Sequence, residues 1–141
     1  MIIYVDENLA PVLAKGFDIL QKPLNKDPKY KLREPIEVRS IELEFGSGIK
    51  DEEWIPLVAK DNACVITQDL NINRIRHQRE LCEAQGLGMF YLKPPSKNGL
   101  SYWDQLKLIV KHWEEIIKKA SKEERPFSYK ISQGSSKLQK I

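Results

Sequence analysis

Residues 2–16, with the sequence IIYVDENLAPVLAKG, run from a short apolar segment through three polar residues into a helical pattern. The segment Ile2–Val5 is apolar and rich in β-branched side chains, which predicts a buried strand that stops at Asp6. The apolar residues beyond it recur at the spacing of a helix: Leu9, Val12, Leu13, Phe17 and Leu20. A buried strand that ends in acidic residues and leads into a helix is typical of an α/β fold.

Strands and helices continue to alternate along the rest of the chain. Further strands are predicted at residues 36–41, 63–67, 89–92 and, as an edge strand, 127–131; helices are predicted from residue 51, over 73–85 and over 102–120. Residues 21–35 contain three prolines and many charges and predict a long loop. This order predicts a three-layer α/β/α sandwich with a mainly parallel central sheet, in a single domain over residues 1–132. Residues 133–141 are predicted to be a basic, flexible tail.

The composition is that of an ordinary globular protein, with 41% hydrophobic and 30% charged residues. The net charge of +3 is too small to indicate a partner. Cys64 and Cys82 lack the spacing of metal ligands and lie in apolar patterns, so we expect reduced, buried thiols. No apolar run approaches the roughly 20 residues that span a bilayer, and the first residues carry no basic leader. We therefore expect a cytoplasmic protein without a membrane partner.

Acidic residues follow two of the predicted strands. Asp6 and Glu7 come directly after the first strand, Asp69 follows the strand at 63–67, and Asp51 begins the helix that leads into it. Functional sites in parallel sheets lie beyond the carboxyl ends of the strands, so we expect these carboxylates to converge there. Clustered carboxylates repel one another unless a cation neutralises them, and Mg²⁺ and Mn²⁺ prefer such oxygen ligands. The pattern predicts a site at which a metal-activated water attacks a phosphodiester.

Simpler roles for the same residues stay open. An Asp after a strand often forms a turn, and Asp51 also fits the N-cap position of the helix it begins. A side-chain nucleophile is not indicated, because His77 and His112 lie on predicted helices among charged residues, without a Ser-His-acid or Cys-His pattern. The prediction of a metal site therefore depends on the combination of carboxylates, above all on the adjacent pair after the first strand.

Two blocks of the sequence resemble PIN-like domains. In residues 3–16, IYVDENLAPVLAKG, a strand runs into Asp-Glu-Asn and then into a helix, as at the start of members of that family. In residues 51–74, DEEWIPLVAKDNACVITQDLNINR, an Asp opens a helix and the following strand ends in Thr-x-Asp-x-Asn, as in the family's second block. The resemblance implies a PIN-like sandwich. Members of this kind include the VapC-type toxin ribonucleases of prokaryotic toxin–antitoxin modules.

The resemblance implies catalytic and metal-binding roles for the first two acidic positions. Asp6 would be the first metal-binding carboxylate, with Glu7 beside it in the catalytic site. Asp51 would be the middle metal-binding carboxylate, although the neighbouring Glu52 could take its place.

The resemblance also implies roles for residues after the 63–67 strand. Thr67 would position the site through its hydroxyl group, and Asp69 would be the third metal-binding carboxylate. The fourth position is often Asp in the family, but here it is Asn71, which offers an amide oxygen and removes one charge. Arg74 and Arg76 on the next helix would contact RNA phosphates.

The activity implied by this resemblance is that of a Mg²⁺- or Mn²⁺-dependent endoribonuclease, a hydrolase, acting as the toxin of a toxin–antitoxin module. A cognate antitoxin protein that covers the acidic groove and a homodimer would accompany it. One alternative is a non-catalytic PIN-like module that binds RNA or a protein, which Asn71 favours. Another is a response-regulator receiver domain, since Lys93-Pro94 follows a predicted strand as in that family. The receiver interpretation fits poorly, because Asp69 lacks the Met-Pro turn and Gly that would follow a phosphoacceptor.

Overall fold

The computed structural model describes residues 1–68 and 72–141, with only the backbone described for residues 72–74. The elements of the described chain, in order, are β1 Ile2–Val5, α1 Pro11–Lys26, β2 Glu37–Ser40, α2 Ile41–Phe45, α3 Asp51–Ala59, β3 Ala63–Gln68, α4 Ile72–Ala84, β4 Gly88–Leu92, α5 Tyr102–Lys122, β5 Phe127–Ile131 and β6 Gln139–Lys140. None of these helices is both long and apolar enough to cross a bilayer.

The strands form one sheet in the order β2-β1-β3-β4-β5-β6. The first five are parallel to their neighbours, and β6 is antiparallel to β5. Alternate strand residues enter two hydrophobic clusters: on β3, Cys64 and Ile66 pack with α1 and α5, whereas Ala63 and Val65 pack with α3 and α4. Helices therefore cover both faces, and the predicted three-layer α/β/α fold with a mainly parallel sheet is confirmed.

Helix α1 is longer than predicted and extends into the segment expected to be a loop. Its buried face consists of Leu13, Ala14, Phe17 and Gln21, while Leu20 is exposed. The Gln21 Oε1 atom accepts a hydrogen bond of 2.9 Å from Trp113 Nε1 on α5, which fixes the helix beyond residue 20. The helix continues through Pro23 to Lys26, so the predicted loop at 21–35 was wrong for its first six residues.

The predicted strand at 36–41 is shorter than expected, because a five-residue helix begins where the strand ends. Ser40 is the N-cap of α2, and its hydroxyl oxygen accepts a hydrogen bond from the Leu43 backbone N–H at 3.3 Å. Ser40 is thus both the last residue of β2 and the start of the chain's turn toward α3.

The C-terminal residues carry structure that the prediction of a flexible tail did not include. Gln139–Lys140 form β6 along β5, so β5 is not the edge strand that was predicted. Leu138 is buried in the cluster beneath α5, and its backbone N–H donates to the Glu115 carboxylate at 3.2 Å. A strand of two residues is too short to leave an alternating apolar pattern in the sequence.

Candidate functional site

Asp6 lies at the carboxyl end of β1, where the chain turns toward α1. Its backbone N–H donates to the Ile66 carbonyl at 2.9 Å, and its carbonyl accepts from the Leu9 N–H at 3.0 Å. The side chain is 1% exposed. Its Oδ1 atom accepts from the Glu7 backbone N–H at 2.8 Å, and its Oδ2 atom accepts from the Thr67 hydroxyl at 2.7 Å. These bonds fix the orientation of a buried carboxylate at the edge of the sheet.

Asp51 is the first residue of α3, and its side chain turns inward. Lys50 holds the N-cap position without a side-chain hydrogen bond, so the N-cap interpretation of Asp51 was wrong. The Asp51 Oδ1 atom instead accepts from the indole Nε1 of Trp54 at 3.0 Å, and the residue is 9% exposed. Burial of an acidic residue at the first helical turn is favoured by the positive end of the helix dipole.

Gln78 of α4 joins the two carboxylates. Its Nε2 atom lies 3.3 Å from Asp6 Oδ2 and 3.4 Å from Asp51 Oδ1, at the long end of the range for hydrogen bonds. The side chain is fully buried, and its Oε1 atom has no hydrogen-bond partner among the described residues. Asp6 and Asp51, which are far apart in sequence, therefore share one amide group in a common buried site.

Gln78 was not among the site residues predicted from the sequence. A signal was present, because Ile75, Gln78 and Cys82 recur at helical spacing and all three are buried. A polar residue on an otherwise apolar stripe needs a polar partner, which indicates a buried site.

Asn8 and Gln68 hold the turn after β1 against the end of β3. The Asn8 Oδ1 atom accepts from the Gln68 backbone N–H at 3.2 Å and lies 3.3 Å from the Thr67 hydroxyl, whose single proton is donated to Asp6. Gln68 in turn accepts a hydrogen bond from the Leu100 N–H at 3.0 Å, just before α5. Thr67 is therefore held between Asp6 and Asn8, which gives its hydroxyl a fixed position.

A cleft of about 590 Å³ opens beside Asp51 and beside Glu7, the residue that follows Asp6. It is lined by Glu7, Asn8, Gly48, Ile49, Lys50, Asp51, Glu52 and His77. Glu7 Oε2 accepts from the Gly48 N–H at 2.8 Å, and this glycine has a φ of +76°, which disfavours other residues. The cleft thus combines carboxylates with Lys50 and His77.

Glu52 lines the same cleft. It is exposed, and its Oε1 atom lies 2.8 Å from His77 Nε2. A hydrogen bond from its own backbone N–H and the one with His77 lower the pKa of the Glu52 carboxyl below its usual value. Of the two candidates for the middle carboxylate, the one that the structure brings to Asp6 through Gln78 is Asp51.

Other predicted site residues are less completely described. Asp69 and Asn71 lie outside the described residues, and so does the side chain of Arg74. Arg76 is exposed on α4 next to His77. Within residues 1–68 and 72–141, no three His, Cys, Asp or Glu side chains are grouped as metal ligands, and the third predicted carboxylate is not in those ranges.

Both cysteines are free and buried, as predicted. Burial raises the pKa of the Cys64 thiol to about 12. Burial also raises the pKa of Cys82, and the negative charges of Asp51 and Asp6 raise it further. Cys82 therefore lies beneath the two carboxylates as an apolar support rather than as a thiolate.

The donor set at this site fits a hard divalent cation. Asp6 and Asp51 supply carboxylate oxygens, and the buried Gln78 amide adds a polar group that lacks a described partner for its oxygen. Hydroxyl, indole and amide donors hold the carboxylates in position, so their orientation is set before a ligand binds.

A family profile described as PIN-like domain matches residues 1–94, which include β1 to β4 and all the site residues named above. Comparisons with curated proteins and with solved structures gave no match. The strand order β2-β1-β3-β4-β5 also occurs in flavodoxin-like folds, so strand order alone does not distinguish a PIN-like domain from a receiver domain. The profile match does distinguish them, since it covers two thirds of the chain. The chain belongs to the PIN-like domain family.

Proposed function

We propose that the protein is a Mg²⁺- or Mn²⁺-dependent endoribonuclease that hydrolyses RNA phosphodiester bonds. PIN-like domains are generally nucleases and typically use divalent metal ions. The observation that carries the proposal is the pairing of Asp6 and Asp51 through Gln78 at the carboxyl edge of the sheet, beside an open cleft. Carboxylates brought together in one site repel one another, and Mg²⁺ and Mn²⁺ prefer such oxygen ligands.

The metal ligands in this proposal are Asp6, Asp51 and, from the resemblance, Asp69. When bound, the metal ion would supply positive charge to the phosphodiester and acidify a water molecule. The chain's own residues orient these ligands: Thr67 donates to Asp6 and Trp54 donates to Asp51. Such fixed orientation lowers the reorganisation that the reaction requires.

The substrate would reach this site along the cleft. Lys50 and His77 line it, and Arg76 is exposed on the same helix as His77. Lys50 and Arg76 can attract backbone phosphates, while Asp51 and Glu7 line the same cleft. Arg74 would add a further contact, as the resemblance implies.

The finer assignment is to the toxin of a toxin–antitoxin module, acting in the cytoplasm with a cognate antitoxin and as a homodimer. The resemblance to VapC-type toxins supports this assignment. For the dimer, further support comes from large apolar side chains exposed on the neighbouring helices α1 and α5: Val12, Ile19 and Leu20 on the first, and Trp103 and Val110 on the second. Exposed apolar clusters of this kind often form interfaces.

The function is tested by incubating the protein with single-stranded and structured RNAs in Mg²⁺, in Mn²⁺ and in EDTA. We expect cleavage that requires a metal ion and is lost in an Asp6→Asn/Asp69→Asn double variant. The matched control is Asp27→Asn, an exposed Asp after the far end of α1. Binding of RNA without cleavage in any metal would instead establish the non-catalytic module, which Asn71 in place of Asp favours.

The same assay identifies the middle carboxylate. Asp51→Asn should abolish cleavage, whereas Glu52→Gln should leave most of it, because only Asp51 is held beside Asp6. The reverse result would assign the metal to Glu52.

A further inference from the structure

The amide of Gln78 presents two chemically different ends inside the candidate metal site. Its Nε2 donors face Asp6 and Asp51, and its Oε1 is buried without a hydrogen-bond partner among the described residues. A buried acceptor without a partner costs free energy, so its persistence in a fully buried side chain calls for an explanation. The side chain has no exposed surface through which solvent could satisfy it.

An amide can exchange its two ends at little steric cost. The nitrogen and oxygen of a Gln side chain are similar in size, and the torsion that carries them is broad and roughly two-fold. In the metal-free protein the NH₂ group is the end that two carboxylates attract. A half-turn of the amide would bring Oε1 to the position now held by Nε2, within reach of the same two carboxylates. Three oxygens there would repel one another unless a cation lay among them.

We propose that Gln78 is a ligand of the divalent cation, through Oε1, and that its amide turns over when the metal binds. The inference rests on the metal-dependent function proposed above. In the structure, Nε2 donates to both carboxylates. In the metal-bound protein the carbonyl oxygen takes that place and adds a neutral ligand to Asp6 and Asp51. This ligand comes from α4, an element to which sequence analysis assigned only phosphate contacts.

Direct binding of Mn²⁺ tests the proposal without relying on cleavage. Calorimetry would compare the wild-type chain with Gln78→Met, which keeps the length of the side chain but removes the amide. We expect at least about a tenfold rise in the Kd for Mn²⁺. The matched control is Gln21→Met, since Gln21 is also a fully buried glutamine on a helix but contacts Trp113 and Asn25. Its Mn²⁺ affinity should equal that of the wild type.

Nuclear magnetic resonance gives a second test, since a Gln78 amide that binds the metal ion must respond to it. Diamagnetic Mg²⁺ should move the side-chain carbonyl ¹³C and amide ¹⁵N signals of Gln78, while those of Gln21 stay in place. This measurement uses the wild-type protein, so it does not depend on the folding of a variant. Unmoved Gln78 signals at saturating Mg²⁺, or equal Mn²⁺ affinity in a folded Gln78→Met protein, would overturn the inference.

The failure of the inference differs from the failure of the proposed function. If the wild type shows no metal binding that Asp6→Asn removes, the metal-dependent function falls, and the inference falls with it. If the wild type binds Mn²⁺ and Gln78 alone gives no response, only the inference falls, and Asp6 and Asp51 keep their proposed roles.

Discussion

At the scale of single residues, the site depends on neutral donors that hold two buried carboxylates in fixed orientations. Thr67 donates to Asp6 at 2.7 Å, and Trp54 donates to Asp51 at 3.0 Å. A donor that contacts two neighbouring side chains keeps one position. It therefore orients a carboxylate ligand better than a flexible surface cation, because less side-chain freedom is lost when the metal ion binds. The Thr67 hydroxyl is such a donor, since it lies between Asp6 and Asn8.

Replacing Thr67 with Val should impair the site more than the fold. The variant keeps the side-chain shape but removes the hydroxyl that donates to Asp6 at 2.7 Å, so we expect RNA cleavage to fall about 10- to 100-fold. The free energy of unfolding should fall by about 1–3 kcal/mol, because a buried acceptor loses its donor. Cleavage rates and urea unfolding measure the two effects. Thr67→Ser, which keeps the hydroxyl, should retain most of the activity; equal rates for the Val and Ser variants would contradict the role of the hydroxyl.

His112 should make the protein less stable in mild acid. Burial lowers the pKa of this imidazole, neighbouring Lys111 lowers it further, and Glu115 opposes the shift. The unfolded chain therefore binds the proton first, so the free energy of unfolding should decrease as the pH falls below the unfolded pKa of about 6.5. The slope should approach at most about 1.4 kcal/mol per pH unit. Urea unfolding between pH 7.5 and pH 5 should show a flatter profile for His112→Leu than for the wild type. Parallel profiles would rule out His112 as the cause.

Among single residues, the sequence predicted part of the candidate site but not all of it. Asp6 and Asp51 were predicted to converge, and the structure brings them to one amide group. Gln78 was not predicted as a site residue, because a neutral glutamine in a charged helix matches no motif. Only its burial in the structure indicates its role. The inward orientation of Asp51 was not predicted either, since an Asp at the start of a helix looks the same in sequence whether it caps the helix or faces the core.

At the scale of elements, close packing between strands limits the size of the side chain that fits at a position, and a sequence pattern does not show this limit. Gly88 begins β4, and a Cβ atom at this position would lie 2.4 Å from the Phe127 ring and 2.8 Å from Cys64 Sγ. Both neighbours are buried, so neither can move freely. Gly16 lies at an exposed position of α1, where a Cβ atom would meet nothing within 4 Å.

These two glycines should respond in opposite directions to the same substitution. Gly88→Ala should lower the free energy of unfolding by about 1–3 kcal/mol through overpacking. Gly16→Ala should raise it by about 0.5–1 kcal/mol, because alanine favours the helix. Chemical denaturation of the two variants measures both changes. A loss of stability in Gly16→Ala, or none in Gly88→Ala, would mean that the packing around these positions is not as described.

Elements were predictable where the apolar pattern alone decides them. The parallel strands and the long helices have strong periodicity, and β5 was predicted with its observed bounds. The pattern failed where single contacts decide: Gln21 extends α1 by bonding to Trp113, and Ser40 starts α2 by capping it. The first contact joins residues 92 apart in sequence, and the second overrides the local strand pattern, so the apolar pattern reveals neither.

At the scale of the whole molecule, the two helices on one face of the sheet leave an apolar surface uncovered. Phe17 and Trp113 stack with their ring centroids 4.6 Å apart and join α1 to α5. On the outer side of the same helices, Val12, Trp103 and Val110 are each more than half exposed. Helical spacing groups Trp103 and Val110 with the apolar residues of α5, but both side chains lie on its solvent side.

A second copy of the chain should cover this surface in solution. We expect light scattering after size exclusion to give about twice the 16.4 kDa mass of one chain for the wild type. A Trp103→Asp/Val110→Asp variant should give the monomer mass, because charges at an apolar interface are unfavourable. Leu43→Asp is the control, since Leu43 is exposed on α2 at the opposite face of the sheet. A monomeric wild type would exclude the proposed dimer.

The short strand at the C-terminus also decides how the sheet meets other chains. Strand β6 pairs with Tyr129 and Lys130 of β5 and so occupies part of the edge that an extended peptide would otherwise pair with. The other edge, β2, is only four residues long and carries the exposed charges of Glu37 and Arg39. A chain cut before residue 138 would lose this protection while keeping every carboxylate of the candidate site. We expect such a fragment to self-associate through the open edge of β5. Residues 138–141 would then protect the chain from aggregation.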